Sequence, residues 1–166
     1  AHNVENLFDY DGESLYEDYQ KKYYGERELR NKLDALVRTL KKIGGNTGPD
    51  IILFQEVEVD RTPMQFPSST EILLNRLNEE GIGPYYHALG YDSEDSQDKW
   101  PAVHCLTLSK FPIDEIQLHP IRMARPILET KILVNGHPFI LFNCHLKSGA
   151  SSMEMETHRL QNAHVL

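Results

Sequence analysis

Cysteine is scarce in this chain: Cys105 and Cys144 are the only two among 166 residues, which excludes a small disulfide-stapled scaffold. Long apolar runs are missing as well, none approaching the roughly 18 residues that a membrane-spanning helix needs. There is no internal repeat and no low-complexity tract. Neither G-x-G-x-x-G nor G-x-x-x-x-G-K-[ST] occurs, so the common glycine-rich phosphate cradles are absent. The eight histidines include no H-E-x-x-H, and no cysteine pair has zinc spacing. Gly149-Ala150-Ser151-Ser152-Met153 begins like a nucleophile elbow but lacks the closing glycine. Positive charge is also in deficit, with 17 Lys and Arg against 25 Asp and Glu, for a net charge of −8. Residues 1–118 hold 22 acidic and 12 basic side chains, and residues 119–166 hold 3 and 5. Such a balance repels polyanions at long range and disfavours broad, sequence-independent binding of nucleic acid. It leaves binding of a single phosphate, or of a cation, open.

What is present reads as one domain of ordinary globular composition, 40% hydrophobic and 25% charged. Val4–Phe8 reads as a strand, followed by a polar, tyrosine-rich excursion over residues 9–25 that is expected to be solvated. Leu29, Leu33, Leu36, Val37, Leu40 and Ile43 form one apolar stripe, predicting a helix over 26–43 that stops at Gly44-Gly45. The unbroken run Ile51-Ile52-Leu53-Phe54 predicts a buried strand with Gln55-Glu56 at its C-terminal end. Ser68 and Glu71 form a capping box for a helix to about Glu80. Strands are expected over 85–89, 102–109, 113–118, 127–134 and 138–146, the last two around Asn135-Gly136, a strong hairpin signal. A final helix is expected from Ser151-Ser152 onward. Early helices and later paired strands suit an α+β sandwich of mixed sheet flanked by helices.

Four segments place hard or phosphate-seeking groups at strand ends. They are Asn3-Val4-Glu5-Asn6; Gln55-Glu56; Arg122 and Arg125 before the strand at Ile127; and Asn143-Cys144-His145-Leu146-Lys147-Ser148. A carboxylate at the end of a buried strand lies where ligands collect in open sheets. Glu56 could instead be a surface carboxylate closing a strand, and His145 a satisfied histidine, but their neighbours favour a site. Arg122 and Arg125 face opposite ways in an extended segment, and Arg125 is the better site candidate. Cys105 and Cys144 read as small core residues.

These words, in this order, resemble the endonuclease/exonuclease/phosphatase family. The words that carry the resemblance are Asn3-Val4-Glu5-Asn6-Leu7-Phe8-Asp9, Pro49-Asp50-Ile51-Ile52-Leu53-Phe54-Gln55-Glu56-Val57, Leu108-Ser109-Lys110-Phe111-Pro112-Ile113 and Phe142-Asn143-Cys144-His145-Leu146-Lys147-Ser148. The resemblance implies a deoxyribonuclease-like fold and a metal-dependent phosphoesterase using Mg²⁺ or Mn²⁺. It implies Glu56 and Glu5 as metal ligands, and Asn3, Asn143 and His145 as catalytic groups. It implies Arg125 and Lys147 as phosphate-binding groups. The substrate would be a phosphate ester: nucleic acid, a phospholipid head group or a small phosphodiester.

The departures shape the expectation. The family's downstream Asp-x-Asn and final Asp-His words are missing, and no Asp lies beyond Asp114. Residues 1–166 are therefore expected to be a single partial domain, incomplete at both ends and inactive by itself. The alternative is a non-catalytic domain that keeps the fold to bind a phospho-ligand or a protein.

Overall fold

A computed structural model describes residues 1–60, 62, 65–91, 101–121, 124–146 and 160. Arg122, Lys147, the elbow-like segment 149–153 and, apart from Leu160, the expected last helix lie outside the described residues.

Among the described residues the elements follow in the order β1 (His2–Leu7), α1 (Glu26–Gly44), β2 (Ile51–Glu58), α2 (Ser69–Glu79), β3 (Tyr86–Leu89), β4 (Val103–Ser109), β5 (Ile113–His119), β6 (Ile127–Val134) and β7 (His137–Asn143). The first sheet has the order β1-β2-β4-β3, with β1 parallel to β2 and the other pairs antiparallel. The second is the antiparallel meander β5-β6-β7. No helix among the described residues is long and apolar enough to cross a membrane.

Helix α1 buries Leu29, Leu33, Leu36, Val37 and Leu40 against the first sheet. Each such side chain stabilises the fold by about 1.5–3 kcal/mol relative to exposure. Ile43, expected on the same stripe, is 71% exposed. The helix ends within a residue of it, and the chain folds back so tightly that a Cβ on Gly44 would lie 2.1 Å from Pro49 N. Ile43 therefore projects beyond the core. Helix α2 starts on the capping box: Ser68 Oγ accepts from Glu71 N at 3.2 Å, and Glu71 Oε2 accepts from Ser68 N at 2.9 Å. Leu73 and Leu77 then join the same core.

The second sheet packs on the opposite face of the first through Leu128, Ala88 and Cys105. Strands β4 and β5, joined by the short turn at Lys110-Phe111-Pro112, belong to different sheets and form no hairpin. The hairpin lies at Asn135-Gly136, where both residues take positive φ (52° and 81°) as a tight two-residue connection requires. The tyrosine-rich excursion is less solvated than expected. Its one helical element is the three-residue 3₁₀ turn Glu17–Tyr19. Tyr19 stacks on buried Phe8 at 4.3 Å, and Tyr24 donates to Phe8 O at 3.1 Å. The ring faces close over Phe8, while Glu13, Glu17 and Asp18 stay exposed.

Candidate functional site

The two strands that carry the acidic words both break their regular pairing at those words. Asn3 pairs with Gln55, and the next pair is Leu7 with Val57. Three residues of β1 thus lie opposite one residue of β2. The cause is visible in the spacing of apolar residues. Val4 and Leu7 share one core, as do Phe54 and Val57, although they are three apart. A period of two would bring Asn6 and Glu56 inward instead. Positive φ at Glu5 (53°), Asn6 (64°) and Glu56 (68°) takes up the difference. Core burial thereby throws Glu5 and Glu56 out of the sheet at the same place. Strand β2 does not end at Gln55-Glu56, as the sequence suggests. It resumes after the break and runs to Glu58, because Val57 and Glu58 pair with His104 and Val103.

His145 meets this break from the second sheet. Its Nε2 is 3.4 Å from Glu56 Oε1, with the two side chains 19% and 17% exposed. His145 Nδ1 is buried and has no hydrogen-bond partner among the described residues. Burial, and next the positive charge of Arg125, push the imidazole below its ordinary pKa, while Glu56 pulls the other way. Neutral His145 is therefore favoured near pH 7. Arg125 is anchored through Nε to Val103 O at 2.8 Å. Strand β7 stops at Asn143, short of the expected Leu146, because the last rung of β6 opposite it is Leu128–Asn143. His145 consequently lies beyond the strand.

Asn143 sits between the two sheets. It is 1% exposed. Its Nδ2 donates to Phe54 O at 3.0 Å and Leu106 O at 3.1 Å, and its Oδ1 accepts from Gln55 Nε2 at 2.7 Å. These three hydrogen bonds join the two sheets next to the break in β2. Asn3 is exposed, and its Oδ1 accepts from Glu5 N at 2.8 Å, tightening the turn that presents Glu5.

Sequence reasoning missed Lys32 and Tyr19. Lys32, on α1, donates from Nζ to the carbonyl oxygens of Glu5 and Asn6, the latter at 2.9 Å. Burial lowers its pKa, while the charges of Glu5 and Glu56 raise it. Tyr19 Oη donates to Glu5 O at 3.4 Å. In sequence, Lys32 is one more lysine beside an apolar stripe, and only the strand it reaches, 26 and 27 residues away, reveals its place.

The donor set suits one metal chemistry better than another. Among the described residues no three His, Cys, Asp or Glu side chains stand together as a metal cage, which does not fit structural zinc. Two carboxylates, Glu5 and Glu56, act on the same ammonium group. That number fits Mg²⁺, which takes one or two carboxylates and leaves its other positions to water and phosphate oxygens.

The mixed four-stranded sheet, the packed antiparallel sheet and the flanking helices make this chain an α+β protein with the fold of the endonuclease/exonuclease/phosphatase proteins. No family profile matches the sequence, and no curated protein does. Among solved structures the chain is similar to TDP2 from Caenorhabditis elegans, at 19% identity and a TM-score of 0.55 over 84% of this chain and 36% of that one. It is similar to a truncated form of the same protein, at 18% identity and a TM-score of 0.51, covering 84% of this chain and 46% of that one. It is also similar to an endonuclease/exonuclease/phosphatase family protein from Leptotrichia buccalis, at 18% identity and a TM-score of 0.54, covering 83% and 58%. The chain thus spans between about a third and three fifths of the length of these structures.

Proposed function

We propose that this chain supplies part of the site of a metal-dependent phosphoesterase, a hydrolase acting on phosphoester bonds with Mg²⁺ or Mn²⁺. The observation that carries the reading is the meeting of Glu56 and His145 at 3.4 Å, beside Arg125, where two adjacent strands break register together. Glu56, with Glu5, would hold the cation, which when bound supplies positive charge to a phosphate group. Arg125, tethered by Nε, keeps the rest of its guanidinium for phosphate oxygens, a geometry that favours bidentate contact. Lys147 would add a second positive charge. Neutral His145 can donate from one ring nitrogen to a phosphoryl oxygen or accept a proton at the other. Asn143 and Asn3 act by holding their neighbours: Asn143 fixes the β2 break from behind, and Asn3 fixes the Glu5 turn.

The substrate is a phosphate ester: nucleic acid, a phospholipid head group or a small phosphodiester, all of which present the same group to this site. The acidic balance of residues 1–118 disfavours non-specific binding along a duplex. The test is metal-dependent hydrolysis of a panel of DNA, RNA, phospholipid and small phosphodiester substrates by the longest polypeptide that carries this sequence. Turnover that requires Mg²⁺ or Mn²⁺ supports the reading. Binding of a phosphorylated ligand without turnover would move it to the non-catalytic alternative.

A further inference from the structure

Resting on that reading of the site, we propose that Lys32 is a positioning residue: its ammonium group holds the left-handed Glu5-Asn6 turn that presents the Glu5 carboxylate beside Glu56. Two consecutive non-glycine residues with positive φ are rare, because the Cβ atom crowds the backbone in that region. They persist only where the surroundings hold them. Here the carbonyl oxygens of both strained residues turn toward one donor, Lys32 Nζ. Tyr19 closes over the same place, its hydroxyl on Glu5 O at 3.4 Å and its ring centroid 6.0 Å from the ammonium. Lys32 is fixed in turn by α1, whose Leu29 and Leu33 are buried on either side of it in sequence. The helix thus reads out the shape of the β1 break and sets it.

A nearby lysine with no such task would act on a cation by charge alone, and the two roles predict opposite signs. Removing a positive charge beside two carboxylates strengthens binding of a divalent cation if charge is all that matters. Removing the group that aims one of those carboxylates weakens it. The experiment titrates the 166-residue chain with Mn²⁺, following free Mn²⁺ by electron paramagnetic resonance, and records melting curves of the metal-free protein. The variants are Lys32→Met, Lys32→Arg, Asn6→Gly and Lys32→Met with Asn6→Gly.

Lys32→Met is expected to weaken Mn²⁺ binding about tenfold and to lower Tm by several degrees. Lys32→Arg, which can still donate to two carbonyls, should retain most of both. Asn6→Gly removes the Cβ crowding, so in the Lys32→Met background it should recover at least half of each loss. Tighter Mn²⁺ binding by Lys32→Met, or Tm effects of Lys32→Met and Asn6→Gly that simply add, would overturn the proposal. If the unmodified chain binds no Mn²⁺, the metal reading of the site fails. The hold of Lys32 on the turn is then decided by the melting curves: rescue by Asn6→Gly supports it, and additivity sinks it.

Discussion

Gln55 Nε2 donates to Asn143 Oδ1 at 2.7 Å, so a side chain of the first sheet and one of the second lock together directly behind the break in β2. Asn143 completes the lock by donating to the carbonyls of Phe54 and Leu106, two residues that pair across β2 and β4 at the last rung before the register shifts. Asn143→Ala strips a buried partner from both carbonyls and from Gln55. At about 1–3 kcal/mol for a buried polar group left unsatisfied, a loss of about 2–4 kcal/mol is expected. Asn143→Asp should cost more, because a carboxylate would then face two carbonyl oxygens. Urea unfolding checks this: the midpoint should fall with the slope unchanged. A loss under about 0.5 kcal/mol would mean that the joint is not where the sheets are held.

The metal role proposed for Glu56 has a simple consequence. Glu56→Gln keeps the shape and one acceptor oxygen but removes the charge that a hard cation prefers. Mn²⁺ binding should weaken by at least about tenfold, or 1.4 kcal/mol. Glu5→Gln is expected to act in the same direction with a smaller effect, since Glu5 is exposed and Glu56 is not. Isothermal titration of both variants decides the matter. Equal affinities across the unmodified chain and both variants would remove the pair from cation binding.

Much of this fold is legible in the chain, and the illegible parts share a cause. Local signals sufficed for α1, whose five core residues follow helical spacing, for the capped start of α2 and for the Asn135-Gly136 hairpin. Glu56 and His145, named on the resemblance words, meet in the fold, and Arg125, named as what the resemblance implies, acts on the same histidine. What could not be read depends on partners distant in sequence. Whether β4 and β5 pair with each other is settled by which sheet each joins, and their short turn carries no mark of it. That Asn143 faces inward depends on carbonyls 89 and 37 residues away. The register breaks did leave a trace, the three-residue spacings of Val4 to Leu7 and Phe54 to Val57. A spacing of three inside a strand reads as an ending unless the far side of the break is known to pair.

A second acidic pair governs how stability depends on pH. Glu58 and Asp9 are 5% and 4% exposed, and Glu58 Oε2 accepts from Asp9 N at 2.8 Å. Burial first, and the charge of Asp9 next, push Glu58 up to about 9; burial pushes Asp9 up to about 7. The folded chain therefore holds these protons more tightly than the unfolded chain, whose carboxyls titrate near 4. Their contribution to stability is full below about pH 4. It is lost as pH rises, through about 7 for Asp9 and about 9 for Glu58. Glu58→Gln keeps an acceptor for Asp9 N and removes the charge. Tm should rise by an amount on the order of 5 °C at pH 8.5 and hardly change at pH 5. Calorimetry at the two pH values tests it; an equal shift at both would assign the effect to packing instead of charge.

These 166 residues are expected not to turn over a phosphodiester by themselves. His145 is pushed toward its neutral form and stands against Glu56, and Arg125 is in place. Activation of a water for attack on phosphorus needs a base aligned opposite the leaving group, which in the family that the sequence resembles is supplied by its final Asp-His pair. No Asp follows Asp114 in this chain. A phosphodiester such as bis(4-nitrophenyl) phosphate should therefore be hydrolysed no faster than by buffer containing the same Mg²⁺ or Mn²⁺, even where Mn²⁺ binding is measurable. The assay is run on protein purified alongside the Glu56→Gln variant, so that a contaminating enzyme appears equally in both. Hydrolysis by the unmodified chain that vanishes in Glu56→Gln would show that the groups present suffice.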